Sequence, residues 1–222
     1  MQPAFKMKLL SINVGLPRQV EWDGRIIQTS IFKAPVAGRV PVRKLNLDGD
    51  QQSDLKVHGG VDKAVYVYPS EHYAFWRDAL PNADLSWGAF GENFTTQGAL
   101  DDKAVHIGDR FHIGSTELVV TQPRMPCFKL GIRFGRADMV KQFMHSGRNG
   151  FYLAVAMEGE VAAGDAIELV ARDDNGVTVA EIVELYTADA AKQDLLQRVS
   201  ELASLPENWR AYFRKRLWKP DA

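Results

Sequence analysis

The sequence predicts a mainly β fold with added helices: a β-barrel domain over residues 1–173 and a three-helix segment over residues 174–222. Three observations predict it. Short runs of alternating apolar and polar residues fill the first two thirds of the chain. Gly-rich turns separate those runs. Beyond Asp173-Asp174-Asn175-Gly176 the apolar spacing turns helical. Many short strands broken by tight turns are the pattern of a closed or nearly closed barrel.

Residues 8–14 (KLLSINV) alternate as an opening strand. Residues 20–22 and 25–31 flank Asp23-Gly24, a hairpin signal. Residues 40–45 and 64–68 are further strands, 109–113 and 116–121 form a hairpin around Gly114-Ser115, and 151–157 and 166–171 close the series. Two helical patches interrupt it. One runs from Ser70, a candidate N-cap, to Leu80 before Pro81. The other covers 137–145, with Met139, Val140, Phe143 and Met144 at helical spacing. In the tail, the first stripe is Val179, Ile182, Val183 and Tyr186. Leu195, Leu196, Val199 and Leu202 make the second, and Trp209, Phe213 and Leu217 the third, which follows Pro206. Helices this short persist only by packing on each other or on the barrel.

The chain has 222 residues, 45% hydrophobic and 25% charged, enough to bury a core without staples. A net charge of −1 provides no global field to recruit nucleic acid or membrane, so an anion site must be a local cluster of cations. Arg214-Lys215-Arg216 is too small an exception to imply stable nucleic-acid binding. No apolar run approaches the ~18 residues of a membrane span, and residues 1–15 lack a signal-peptide pattern. The expectation is a soluble cytoplasmic protein. Its single cysteine, Cys127, excludes an internal disulfide, a Cys-rich zinc site and an iron–sulfur ligand set.

Three clusters could carry chemistry. In Lys56-Val57-His58-Gly59-Gly60-Val61-Asp62-Lys63, Gly59 and Gly60 let backbone amides approach a ligand, while Lys56, His58 and Lys63 add donors and charge. Taken alone, a tight turn with solvated lysines explains the same residues. In Phe90-Gly91-Glu92-Asn93-Phe94, Asn93 suits the amide edge of a heterocycle, or else the satisfaction of local backbone. In Gln122-Pro123-Arg124-Met125-Pro126-Cys127-Phe128-Lys129-Leu130, two prolines block the strand from continuing and set a thiol between Arg124 and Lys129. Nearby cations favour thiolate, a soft ligand for a redox metal. A buried, inert Cys is the other reading. Arg148-Asn149-Gly150 either lines a pocket or simply turns the chain.

Together these stretches resemble the MOSC family, named after the C-terminal part of molybdenum cofactor sulfurase, and within it the bacterial YiiM-like branch. The matching residues are 56–69 (KVHGGVDKAVYVYP), 88–95 (GAFGENFT), 107–111 (IGDRF), 122–130 (QPRMPCFKL) and 159–165 (GEVAAGD). The tail beyond 176 resembles the three-helix segment of that branch. The resemblance implies a MOSC-type barrel in which Cys127 ligates the molybdenum of a molybdopterin cofactor. It further implies reduction of N-hydroxylated compounds, such as hydroxylaminopurine bases and hydroxylamines, to amines. Arg124, Lys129, His58 or Lys63 would hold the cofactor phosphate, with the backbone of Gly59 and Gly60 approaching it, Asn93 and nearby backbone groups at the ring, and His58 as a proton donor. No dinucleotide, haem or iron–sulfur motif is visible, so the electrons would come from a separate reductase. The family's alternative is a sulfur carrier holding a persulfide on Cys127. A homodimer is compatible with the chain but not specified by it.

Overall fold

The computed structural model describes residues 6–53, 59–188 and 192–217. Twelve strands and six α-helices form among them. The strands are β1 (Lys8–Val14), β2 (Arg18–Trp22), β3 (Arg25–Thr29), β4 (Ala34–Val36), β5 (Arg39–Val42), β6 (Val65–Pro69), β7 (Phe94–Gln97), β8 (Arg110–Ile113), β9 (Thr116–Pro123), β10 (Phe151–Met157), β11 (Gly159–Ala162) and β12 (Ile167–Ala171). The helices are α1 (Glu71–Ala79), α2 (Phe128–Phe134), α3 (Met139–Ser146), α4 (Val179–Thr187), α5 (Gln193–Glu201) and α6 (Glu207–Leu217).

Eight strands form one sheet in the order β12-β8-β9-β10-β6-β7-β1-β4, while β11 pairs with β5 and β2 with β3. The sheet curls without full closure. Its two sides are stitched where Leu9 N–H donates to Asp165 O (3.0 Å), Gly164 N–H to Leu9 O (2.7 Å) and Ile167 N–H to Met7 O (3.0 Å). The parallel β6–β7 pair needs a crossover, which α1 supplies.

β6 explains why the fold has two cores. Every residue from Val65 to Pro69 is buried, because both faces of the strand are covered. Val65 and Val67 point into the barrel interior with Phe94, Leu118, Val120 and Leu153. Tyr66 and Tyr68 point the other way, into an outer layer with Tyr73 and Trp76 of α1, Leu130 of α2 and Phe143 of α3. Each such side chain contributes roughly 1.5–3 kcal/mol by leaving water.

The tail helices share the barrel's core rather than forming their own. Val179, Ile182, Leu196, Val199 and Phe213 belong to the same buried cluster as the strands. α4 starts at a capping box, in which Thr178 and Glu181 satisfy each other's backbone N–H groups.

Several boundaries differ from the sequence reading. β9 continues through Pro123, which pairs with Phe151, so the chain leaves the sheet two residues later than the prolines implied. Ser70 occupies the N-cap of α1 but makes no side-chain cap; its hydroxyl donates to Glu71 instead. Tyr186 was expected in the buried stripe of α4 and is 41% exposed. β4, β7, β11 and α2 had not been expected. Among the described residues no helix is long and apolar enough to cross a membrane.

Candidate functional site

Cys127 lies where β9 hands over to α2. It keeps an extended backbone (φ −123°, ψ 173°) and caps the helix, its carbonyl accepting from Leu130 N–H at 2.9 Å. Its side chain is half-buried. Two hollows meet at this residue, an inner one of about 100 Å³ and an outer one of about 370 Å³; both are also bordered by Lys63, Met125 and Tyr152.

The inner hollow is cationic, with Lys33, Lys63, Arg124 and Lys129 around it. Arg124 is 5% exposed and held from several sides. Its N–H donates to Gly150 O (3.0 Å), and its carbonyl accepts from the Asn149 amide (3.0 Å). Asp102 fixes that loop by accepting from the N–H groups of Asn149 (3.1 Å) and Gly150 (2.9 Å), and its other oxygen meets His72 Nε2 at 2.7 Å. The guanidinium lies over Tyr66 and Phe143, 5.4 and 4.9 Å from the ring centroids. Yet Arg124 Nη1 is buried with no hydrogen-bond partner among the described residues. A buried donor left unpaired costs about 1–3 kcal/mol, so an arginine held this firmly with one nitrogen free is set to receive an anion.

The other cations come from separate elements. Lys129, in the first turn of α2, donates to Ser53 Oγ at 3.3 Å. Lys33, just before β4, forms a buried ion pair with Asp50. Asp50 also accepts from Gly15 N–H (2.8 Å) and from the Asn93 amide (2.9 Å). Burial pulls the pKa of Lys33 down, with Asp50 opposing. Lys63 is lowered in the same way, with Asp62 opposing. Tyr152 borders the inner hollow together with Arg124 and Cys127. Burial raises its pKa, the Arg124 charge opposes that rise and the Cys127 sulfur adds to it.

The sequence-predicted residues divide into groups. Cys127, Arg124, Lys129, Lys63 and Asn93 all border the inner hollow. The amide of Asn93 already has protein partners: its oxygen accepts from Tyr66 N–H (3.1 Å), and its nitrogen donates to Asp50 and to Asn13 O (3.3 Å). Gly59 and Gly60 border neither hollow. Gly60 adopts φ +99° and starts the short turn that carries Lys63, so its role here is to aim that lysine. His58 and Lys56 fall outside the described residues. Glu92 points away from solvent, where Tyr73, Thr95 and the N–H groups of Gly88 and Phe90 donate to it; burial pushes its carboxyl up and these donors oppose the rise. Sequence reasoning missed Lys33 and Asp50. The available signal for Lys33 was a lone cation inside the apolar run Ile31-Phe32-Lys33-Ala34-Pro35-Val36.

The outer hollow shares Cys127 with the inner one and is walled by the tail. Tyr186 of α4 and Trp209 and Tyr212 of α6 line it, facing Gln122 of β9. Among the described residues no three His, Cys, Asp or Glu side chains converge as metal ligands. Among the described residues Cys127 is the one thiol at the site, so a metal bound to it would bring further ligands with its cofactor. One accessible thiol, four cations and an unpaired arginine nitrogen fit an anionic, metal-bearing cofactor.

Comparison with known proteins identifies the family. The MOSC domain matches residues 54–168, and the YiiM-like, 3-alpha helix domain matches residues 177–219. The chain is 42% identical over 211 residues to the uncharacterized protein YflK of Bacillus subtilis, covering 95% of each. It is 36% identical over 190 residues to protein YiiM of Escherichia coli, covering 85% of this chain and 84% of that one. A protein named reductase from Gibberella moniliformis is 32% identical over 197 residues, which are 87% of this chain but 35% of the fungal protein. The crystal structure of YiiM from Geobacillus stearothermophilus superposes with a TM-score of 0.79 at 33% identity, covering 95% of this chain and 99% of that one. The chain belongs to the MOSC domain family and carries the YiiM-like three-helix domain behind the MOSC domain.

Proposed function

We propose that this protein is an oxidoreductase that uses a molybdenum cofactor to reduce N-hydroxylated compounds, among them hydroxylaminopurine-type bases and hydroxylamines, to amines. The observation that carries the reading is the placement of Cys127: a half-buried thiol bordering a cationic hollow in which Arg124 has an unpaired, buried nitrogen. The reductase name of the fungal relative supports the reaction class.

When bound, the cofactor supplies two-electron oxygen-transfer chemistry. The overall change is R–NHOH plus two electrons and two protons giving R–NH2 and water. The residues around the sulfur bind and orient. Cys127 provides the thiolate ligand. Arg124, Lys129 and Lys63 neutralise the anionic portion of the pterin. Lys33, paired with Asp50, also borders this hollow. Tyr66 and Tyr152 shield the guanidinium from water, which strengthens its grip on an anion. His58 is proposed as the donor of a proton to the leaving oxygen. Two electrons per turnover require a separate reductase as partner.

The test is the molybdenum and pterin content of wild type and Cys127→Ser, each purified from cells competent in cofactor synthesis. Wild type should carry both, and the variant should lose molybdenum. Absence of both from wild type would sink the proposal. The half-buried thiol also suits a persulfide carrier. A mass increase of one sulfur on Cys127 that transfers to an acceptor, with no molybdenum present, would select that second reading.

A further inference from the structure

We infer that the outer hollow is a recess for a neutral planar ring, and that Tyr186 and Tyr212 of the three-helix tail determine its selectivity. This rests on the reading above in one respect: Cys127 marks the reacting end.

Charge separates the two hollows. The inner one holds Lys33, Arg124 and Lys129, none of which borders the outer one. Among the described residues lining the outer hollow, Lys63 is the only charged one, and it sits at the boundary the two share. An anionic group is therefore drawn inward, and an uncharged molecule is left the outer side.

The walls select for shape. Tyr186 and Tyr212 are 41% and 37% exposed. Their rings touch each other at 5.3 Å and 35°, and Tyr186 meets Trp209 edge-on at 5.5 Å and 63°. The polar edge of Trp209 is already engaged, because its indole N–H donates to Gln122 Oε1 at 2.6 Å. Gln122 Nε2 in turn donates to Asp62 O at 3.3 Å. What the tail presents is therefore mostly aromatic surface, with the exposed Asn208 as a polar group. A flat π-face is what such a wall binds best. At about 370 Å³ the recess lies in the range of small-molecule sites, and Cys127 and Tyr152 border it as well. A ring lying along the tyrosines would direct its exocyclic N–OH toward the sulfur. The exposure of Tyr186 is explained on the same ground: it breaks the buried stripe of its helix because its ring serves this wall.

The experiment uses the full chain from cells unable to make the cofactor, titrated calorimetrically with adenine as the planar probe and cyclohexanol as a neutral saturated control. Wild type and Tyr212→Phe should bind adenine alike. Tyr212→Ala and Tyr186→Ala should each bind it about tenfold more weakly, the loss of one stacking contact. Cyclohexanol should not distinguish the proteins. Equal cooperative melting of all four would confirm that each is folded. No saturable adenine binding to wild type, or equal binding by wild type and both alanine variants, overturns the inference. So does loss of pterin from cofactor-loaded Tyr212→Ala with adenine binding intact, since the recess would then belong to the cofactor. Molybdenum content is measured separately, so a molybdenum-free wild type that still binds adenine through Tyr212 rejects the proposed reductase and leaves this recess standing.

Discussion

Trp209 of the tail donates its indole N–H to the Gln122 side-chain oxygen of β9 at 2.6 Å, and both residues are buried. One hydrogen bond thus joins the last helix to the strand that leads to Cys127. The same Gln122 and its neighbour Thr121 both donate to Asp62 O, at 3.3 and 2.7 Å, so the turn carrying Lys63 is anchored to the same strand. Tail, strand and turn form one connected frame around the sulfur.

Replacing Trp209 with Phe keeps most of the ring volume and removes the donor. Gln122 Oε1 is then buried without that partner, at a cost of about 1–3 kcal/mol. The midpoint of denaturant unfolding should fall accordingly. An unchanged midpoint would show that the bond does not bear on stability.

Arg124→Ala should lower the molybdenum and pterin content of the purified protein about tenfold, the loss of one charge-assisted hydrogen bond. Arg214→Ala is the control. It removes an exposed ion pair with Glu207 and a 3.2 Å bond to Ser200 O, both on the tail, and leaves both hollows intact. Equal retention by the two variants would show that the anion is held elsewhere.

Gly150→Ala should be severely destabilising. Gly150 adopts φ +65°, and an added Cβ would lie 2.3 Å from Val67 O, a backbone atom of the central strand β6. The left-handed backbone alone costs roughly 1–2 kcal/mol for a residue with a side chain, and the clash adds to it. Because Gly150 O holds Arg124 N–H, cofactor retention should fall together with thermal stability. A variant with native Tm contradicts the geometry.

Retention of the anionic cofactor should also weaken with alkali sooner than an ordinary lysine would allow. Burial lowers the pKa of Lys63, so its charge is lost as pH rises through a value below the usual 10.5. The sign for stability is opposite. Between the folded value and 10.5 the unfolded chain binds more protons, so the contribution of this lysine to stability rises with pH while its hold on the anion declines. Dialysis of loaded protein at increasing pH, followed by pterin analysis, should reveal the loss. Lys63→Arg should flatten it, since arginine keeps its charge throughout.

Most strands were legible because one face of each meets the core, which writes a period of two into the sequence; β1 and β10 were placed residue for residue. β4 and β11 were not, since three or four residues are too few to show a period. α2 was hidden by its length of seven residues and by the prolines before it, although Gly135, left-handed at φ 64°, marks where it ends. The site was legible where chemistry is concentrated in one segment, as around Arg124, Cys127 and Lys129. It was hardest to read where the fold imports a residue from afar: Lys33 and Asp50 reach the hollow through tertiary pairing, of which the lone cation in the apolar run around Lys33 is the one local trace. Tyr186 misled because its spacing fits a buried helical stripe, whereas its ring packs against Trp209 and Tyr212 of α6 beside the outer hollow.

The stitching of Leu9 to Asp165 and of Met7 to Ile167 sets a condition on biosynthesis. β1 cannot acquire those partners until residue 167 has left the ribosome, although its own residues emerge first. Until then the Met7–Leu9 end of β1 lacks these partners, and the half of the site bearing Lys33 and Asp50 is joined to the half bearing Cys127 only through the strand order β9-β10-β6-β7-β1. Contacts this distant in sequence are slow to form, so a cofactor that requires both halves can be captured only after nearly the whole barrel has been translated.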